Sequence, residues 1–76
     1  MKYLRFAYNL SGKRLPTPIK RQYVIELMES DGKYCRGKVI ARNEWSVMKL
    51  GDVDVFIVEG FEEISEEDIQ GFTFKN

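Results

Sequence analysis

The sequence predicts an α+β fold: one small domain, a mainly antiparallel sheet of four to five strands and two short helices, with curling into a small barrel as the alternative to an open sheet. Three observations predict it. Apolar and polar residues alternate over residues 2–9, a Ser-Asp-Gly turn signal divides the β-rich run "QYVIELMESDGKYCRGKVIAR", and helix-start signals precede residues 44 and 66. The 76 residues form a single domain, 1–76, because a chain this short buries only about 60% of its unfolded surface and cannot share that between two cores. At 43% hydrophobic residues the chain carries enough apolar material to fold without staples.

The first strand follows from period 2, with Leu4, Phe6 and Tyr8 on one face and Tyr3, Arg5 and Ala7 on the other. The stretch "SGKRLPTPIKRQY" comes next. Its two prolines fix their own φ and push Leu15 and Thr17 toward extended backbone, which makes it a stiffened connection. The following hairpin is expected to turn through Ser30-Asp31-Gly32 with Gly32 as the bulge residue. That register faces Leu27 with Cys35, Ile25 with Gly37, Tyr23 with Val39 and Glu26 with Arg36.

In "RNEWSVMKLGD" the pattern changes toward helical spacing. Asn43 reads as an N-cap, Trp45, Met48 and Leu50 as the apolar face, and Gly51 as the stop. The apolar run from Val53 to Val58, broken only by Asp54, suggests a strand buried on both faces and central in the sheet. A second helix should begin at Ser65, with Glu66, Glu67 and Asp68 in its first turn, Ile64 and Ile69 stapled across the cap, and Gly71 ending it. Phe72 and Phe74 then alternate with polar residues as a short last strand or edge.

Composition excludes much chemistry. With no histidine, the usual general base near neutral pH is missing, and with it Ser-His, Cys-His and His-metal arrangements. The lone Cys35 cannot close an internal disulfide and, on the face expected to be buried, behaves as a small hydrophobe. Asp52 and Asp54 form a D-x-D, but two carboxylates without a third ligand do not define a metal site. "SGKR" lacks the upstream glycine and the Ser/Thr of a phosphate loop. No catalytic residue, metal or cofactor is therefore expected. No apolar run reaches the roughly 18 residues of a membrane span, and Lys2 and Arg5 break the opening apolar stretch. A soluble, cytoplasmic protein is expected.

A net charge of zero hides a strong asymmetry. Residues 1–42 hold ten Lys/Arg against three acids, a net +7, and residues 43–76 hold two against nine, a net −7. Such polarity points to a charged macromolecular partner or to halves that neutralise each other on folding. By class-level analogy, a compact chain with no catalytic set has the profile of small virus- or phage-encoded inhibitors that occupy a partner's surface. The expected function is accordingly a non-catalytic interaction protein that binds and modulates or inhibits a protein partner. Its basic contacts would be Lys13, Arg14, Lys20 and Arg21, and its acidic contacts Glu62, Glu63, Glu66, Glu67 and Asp68. The alternative is a single-stranded nucleic-acid module using Tyr3, Arg5, Tyr34, Arg36 and Lys38, a mixture of cations and stacking rings. The sequence pI near 6.2 weighs against that alternative, since dedicated binders usually have values above about 9. An uncovered edge strand, or Phe72 and Phe74, would support a homodimer.

Overall fold

The computed structural model describes residues 2–14 and 17–69. Five strands, β1 (Tyr3–Leu10), β2 (Ile19–Asp31), β3 (Tyr34–Arg42), β4 (Val53–Ile57) and β5 (Phe61–Ile64), are followed by one short helix, α1 (Glu66–Ile69). They form one antiparallel sheet in the order β4-β3-β2-β1-β5. The expected Gly71 stop and the strand through Phe72 and Phe74 lie outside the described residues, as do Leu15 and Pro16 in the stiffened connection.

The connectivity forces the sheet to curl. β4 and β5 lie on opposite edges, which in a flat five-stranded sheet stand about 19 Å apart at the usual strand spacing. Only residues 58–60 join them, and four Cα steps reach about 14 Å at most. The edges are therefore drawn toward each other, but they do not pair, so the sheet stays open and no closed barrel forms. Two irregularities in the β2–β3 ladder help, because a bulge bends its strand and raises the local twist. One leaves Met28 unmatched between Leu27↔Gly37 and Glu29↔Arg36, and the other leaves Ile40 unmatched between Ile25↔Val39 and Val24↔Ala41.

This register differs from the one expected. Asp31 pairs with Tyr34, so the turn is Gly32-Lys33, with Gly32 at φ +56°, the arrangement of a two-residue loop whose first central residue is glycine. Glycine is required there, but as a turn residue and not as a bulge. Glu26 consequently faces Lys38, and Arg36 faces Glu29.

The core has two parts because the Ile40 bulge moves β3 side chains between faces. On the concave face Leu4, Ile25, Cys35 and Val39 are buried, with Tyr23, Phe56 and Phe61 packed against them. On the other face Val24 and Ala41 are covered by Ile64 and Ile69 from β5 and α1. α1 starts as expected. Ser65 Oγ accepts from the Asp68 N–H at 3.4 Å, Asp68 Oδ2 accepts from the Ser65 N–H at 3.2 Å, and the buried Ile64 and Ile69 flank this capping box.

Residues 43–52 are not helical, so among the described residues one short helix stands where two were expected. Asn43 spends its side chain on loop formation: Oδ1 accepts from the N–H groups of Gln22 and Trp45, both at 3.2 Å, and Nδ2 donates to the Lys20 carbonyl at 2.6 Å. Those bonds tie the loop to β2 and replace the helical ladder. The loop then folds back along β3, where the Gly51 N–H donates to the Val39 carbonyl and the Val39 N–H to the Asp52 carbonyl, each at 2.8 Å. Met48 and Leu50 pack on the core from this loop, while Trp45 stays 46% exposed.

Candidate functional site

The residues chosen from sequence fall into groups that the fold treats differently. Lys13 and Arg14 sit in an exposed turn of the β1–β2 connection. Lys20 and Arg21 open β2, next to the Leu10↔Ile19 pair that closes this connection. The four cations thus share one end of the hairpin, with Lys20 exposed and Arg21 half-buried.

The acidic set does not stay together. Glu62 and Glu63 are consecutive in β5 and point to opposite faces. Arg5, directly across the ladder, pairs with Glu62, and Lys2 pairs with Glu63 at 3.7 Å. Asp68 is held in the capping box. Glu66 and Glu67 remain exposed in the first turn of α1, where acids are favoured by the helix dipole without any partner. Part of the sequence's charge polarity is therefore neutralised inside the fold.

The basic-aromatic set is also divided. Tyr3 packs beside Val24, Ile64 and Ile69, and Arg5 is bound to Glu62. Tyr34, Arg36 and Lys38 do form an exposed row on β3, but each faces an acid of β2: Asp31, Glu29 and Glu26. Alternating charge across a ladder favours the ladder itself and interrupts the uniform positive track that a nucleic-acid backbone needs.

β4 carries the feature that sequence reading missed. It was expected at the centre of the sheet, and it is an edge strand. Val53, Val55 and Ile57 alternate with Asp54 and Phe56, and all three are exposed, Val55 at 61%. The hydrogen bonds bracketing the strand, Val39 N–H to Asp52 and Val58 N–H to Lys33, make Lys38↔Val53, Arg36↔Val55 and Tyr34↔Ile57 the non-hydrogen-bonded pairs of the ladder. The backbone groups of Val53, Val55 and Ile57 consequently face outward, away from β3. The Val55 N–H is met by Asp54 Oδ1 at 2.8 Å. An open groove of about 440 Å³ lies alongside, lined by Glu29, Asp31, Tyr34, Arg36, Asp54 and Val55 among others.

At the seam between the two edges the concave face opens to solvent. Phe6, Tyr23, Phe56 and Phe61 meet there with centroid separations of 5.1–5.9 Å. With Ile57 and Glu59 they line a second open cavity of about 340 Å³. Gly60, at φ +95°, crosses directly over Phe6: a Cβ on it would lie 3.2 Å from Phe6 Cε2.

Cys35 lies beneath this surface at 3% exposure. Burial pushes its thiol pKa up, and a backbone hydrogen bond with Phe56 pulls it back in part. Asp52 and Asp54 each use a carboxylate oxygen on a nearby backbone N–H. Among the described residues no three His, Cys, Asp or Glu side chains gather as a metal site, and no helix is long and apolar enough to cross a membrane. Comparison with the patterns of known protein families, with curated proteins and with solved structures gives no match to this chain.

Proposed function

We propose that this protein is a non-catalytic interaction module that binds a protein partner by accepting an extended segment of it along the free edge of β4. The observation that carries this reading is the edge itself: among the described residues no strand pairs with the outward-facing backbone of Val53, Val55 and Ile57, and their three exposed β-branched side chains share one face. A free edge of this kind supplies main-chain hydrogen bonds for affinity, and alternate side chains give specificity. Occupying a partner segment in this way modulates or inhibits whatever that segment otherwise does. Lys13, Arg14, Lys20 and Arg21, gathered at one end of the hairpin, act in approach by steering an acidic partner. The lack of histidine and the buried state of Cys35 support a binding role over catalysis. The packing of Tyr3 on the core, and the acids paired with or facing Arg5, Tyr34, Arg36 and Lys38, favour protein over nucleic acid.

The test is capture from the native cell, followed by titration of the purified partner against the wild-type chain and Val55→Lys. Because Val55 is exposed, the variant should fold normally by circular dichroism. Its affinity should fall at least about tenfold, since a charge on a free edge blocks strand addition. Equal affinity of the two proteins would remove the edge from the account. Recovery of single-stranded nucleic acid alone, with a steep salt dependence, would favour the other reading.

A further inference from the structure

We infer that the ring-lined cavity at the open seam between β4 and β5 binds a methylated ammonium group, the group a methylated lysine of a protein partner carries. The source of that group rests on the reading of the protein as a protein-binding module. The chemistry of the site does not.

Four rings, Phe6, Tyr23, Phe56 and Phe61, form a continuous wall, with Phe6 and Phe61 5.1 Å apart and Tyr23 and Phe56 5.9 Å apart. All four are only half-buried, although Tyr23, Phe56 and Phe61 pack on the core and Phe6 lies against Tyr23 and Phe61. They stay accessible because β4 and β5 do not pair and because residue 60, which crosses Phe6, has no side chain. The cavity, about 340 Å³, lies at the small end of the roughly 300–1,000 Å³ range of ligand pockets. It suits a compact head group.

The sign of the charge follows from the lining. Ring faces attract cations through their quadrupole when the cation comes within about 6 Å of the centroid. Among the described residues lining the cavity Glu59 is the one that carries a charge, and it is exposed. An anion would meet the Glu59 carboxylate beside an apolar, aromatic lining. A bare ammonium is strongly hydrated and would lose that water against an apolar wall. Methylation weakens the hydration, keeps the charge and adds methyl groups that pack on the rings.

The test uses the full chain with choline and its neutral isostere, 3,3-dimethylbutan-1-ol, followed by shifts of the ring protons in nuclear magnetic resonance. Choline should shift Phe6, Tyr23, Phe56 and Phe61 and bind roughly threefold or more tighter than the isostere, the size of a cation–π preference. Glu59→Gln, an exposed change that should not disturb folding, should weaken choline and leave the isostere unaffected. A peptide with trimethyllysine should then outcompete the same peptide with unmodified lysine. Equal binding of choline and isostere would reduce the site to an apolar pocket, and absence of ring shifts would remove it. Val55→Lys should leave choline binding unchanged, so failure of the β4 edge and failure of this site read out separately.

Discussion

Gly37 shows how a single residue fixes the central hairpin. A Cβ built there would lie 2.7 Å from Ile25 Cδ1, 3.1 Å from Ile25 Cβ and 3.2 Å from the Glu26 carbonyl oxygen. One of these contacts can rotate away, but the other two belong to backbone and a branched carbon and must move the strand. Gly37→Ala should cost about 1–3 kcal/mol through overpacking, read as a lower denaturant midpoint. Ile25→Val removes Cδ1 and alone costs about 0.5–1.5 kcal/mol. In the Gly37→Ala background it should cost less or nothing, and strictly additive losses would show that the clash lies elsewhere. Cys35, two positions earlier on the same face, gives a pH signature. Its folded-state pKa is raised by burial, so the folded chain holds the thiol proton where the unfolded chain has begun to release it. The associated stability is intact below the unfolded thiol value, about 8.5, and declines as pH rises from there toward the folded value. Chemical unfolding of wild type and Cys35→Ala across pH 7–10 should show the steeper alkaline decline in wild type. Parallel curves would mean that the thiol is not desolvated.

At the scale of elements, what could be read from sequence depended on whether the signal was local. The α1 start was fully legible, because Ser65, Asp68, Ile64 and Ile69 act on one another within a few residues. Ser65→Ala should cost about 0.5–2 kcal/mol, the usual loss for a cap, and urea midpoints would measure it. A neutral result would mean that the Ile64 and Ile69 packing alone holds the turn. The same kind of signal misled at Asn43. Its side chain does bond the Trp45 N–H, as a capping residue bonds nearby backbone, but its amide also reaches Lys20 twenty-three residues away, a partner no local pattern reveals. The hairpin register failed for a related reason: the turn closes at Gly32-Lys33, and two bulges, at Met28 and Ile40, shift the ladder along its length, so no single continuous register describes it. β4 shows the limit most sharply. Its apolar run looks central by composition, yet among the described residues β4 pairs with β3 alone, at one edge of the sheet, so Val53, Val55 and Ile57 became candidate binding residues only once the topology was known.

For the whole molecule, the +7 and −7 halves of the chain raise the question of how much polarity survives folding. Arg5 and Lys2 are spent on Glu62 and Glu63, and Arg36 and Lys38 face Glu29 and Glu26. The cations at Lys13, Arg14 and Lys20 remain exposed at one end of the β1–β2 hairpin, whereas the proposed contact surface lies on β4, two strands away across the sheet. Charges placed outside a contact surface act at a distance, through the field that guides approach, and this action fades beyond a Debye length of about 8 Å at physiological salt. Reversing Lys13, Arg14 and Lys20 to Glu should therefore slow association with an acidic partner and flatten its salt dependence, while dissociation changes little. Val55→Lys should do the opposite, raising the dissociation rate, because most losses of direct contact appear there. Stopped-flow or surface-based kinetics at low and high salt would separate the two effects. If the triple reversal mainly quickened dissociation, the hairpin end would itself be part of the contact, and the partner would have to span from that end to the β4 edge.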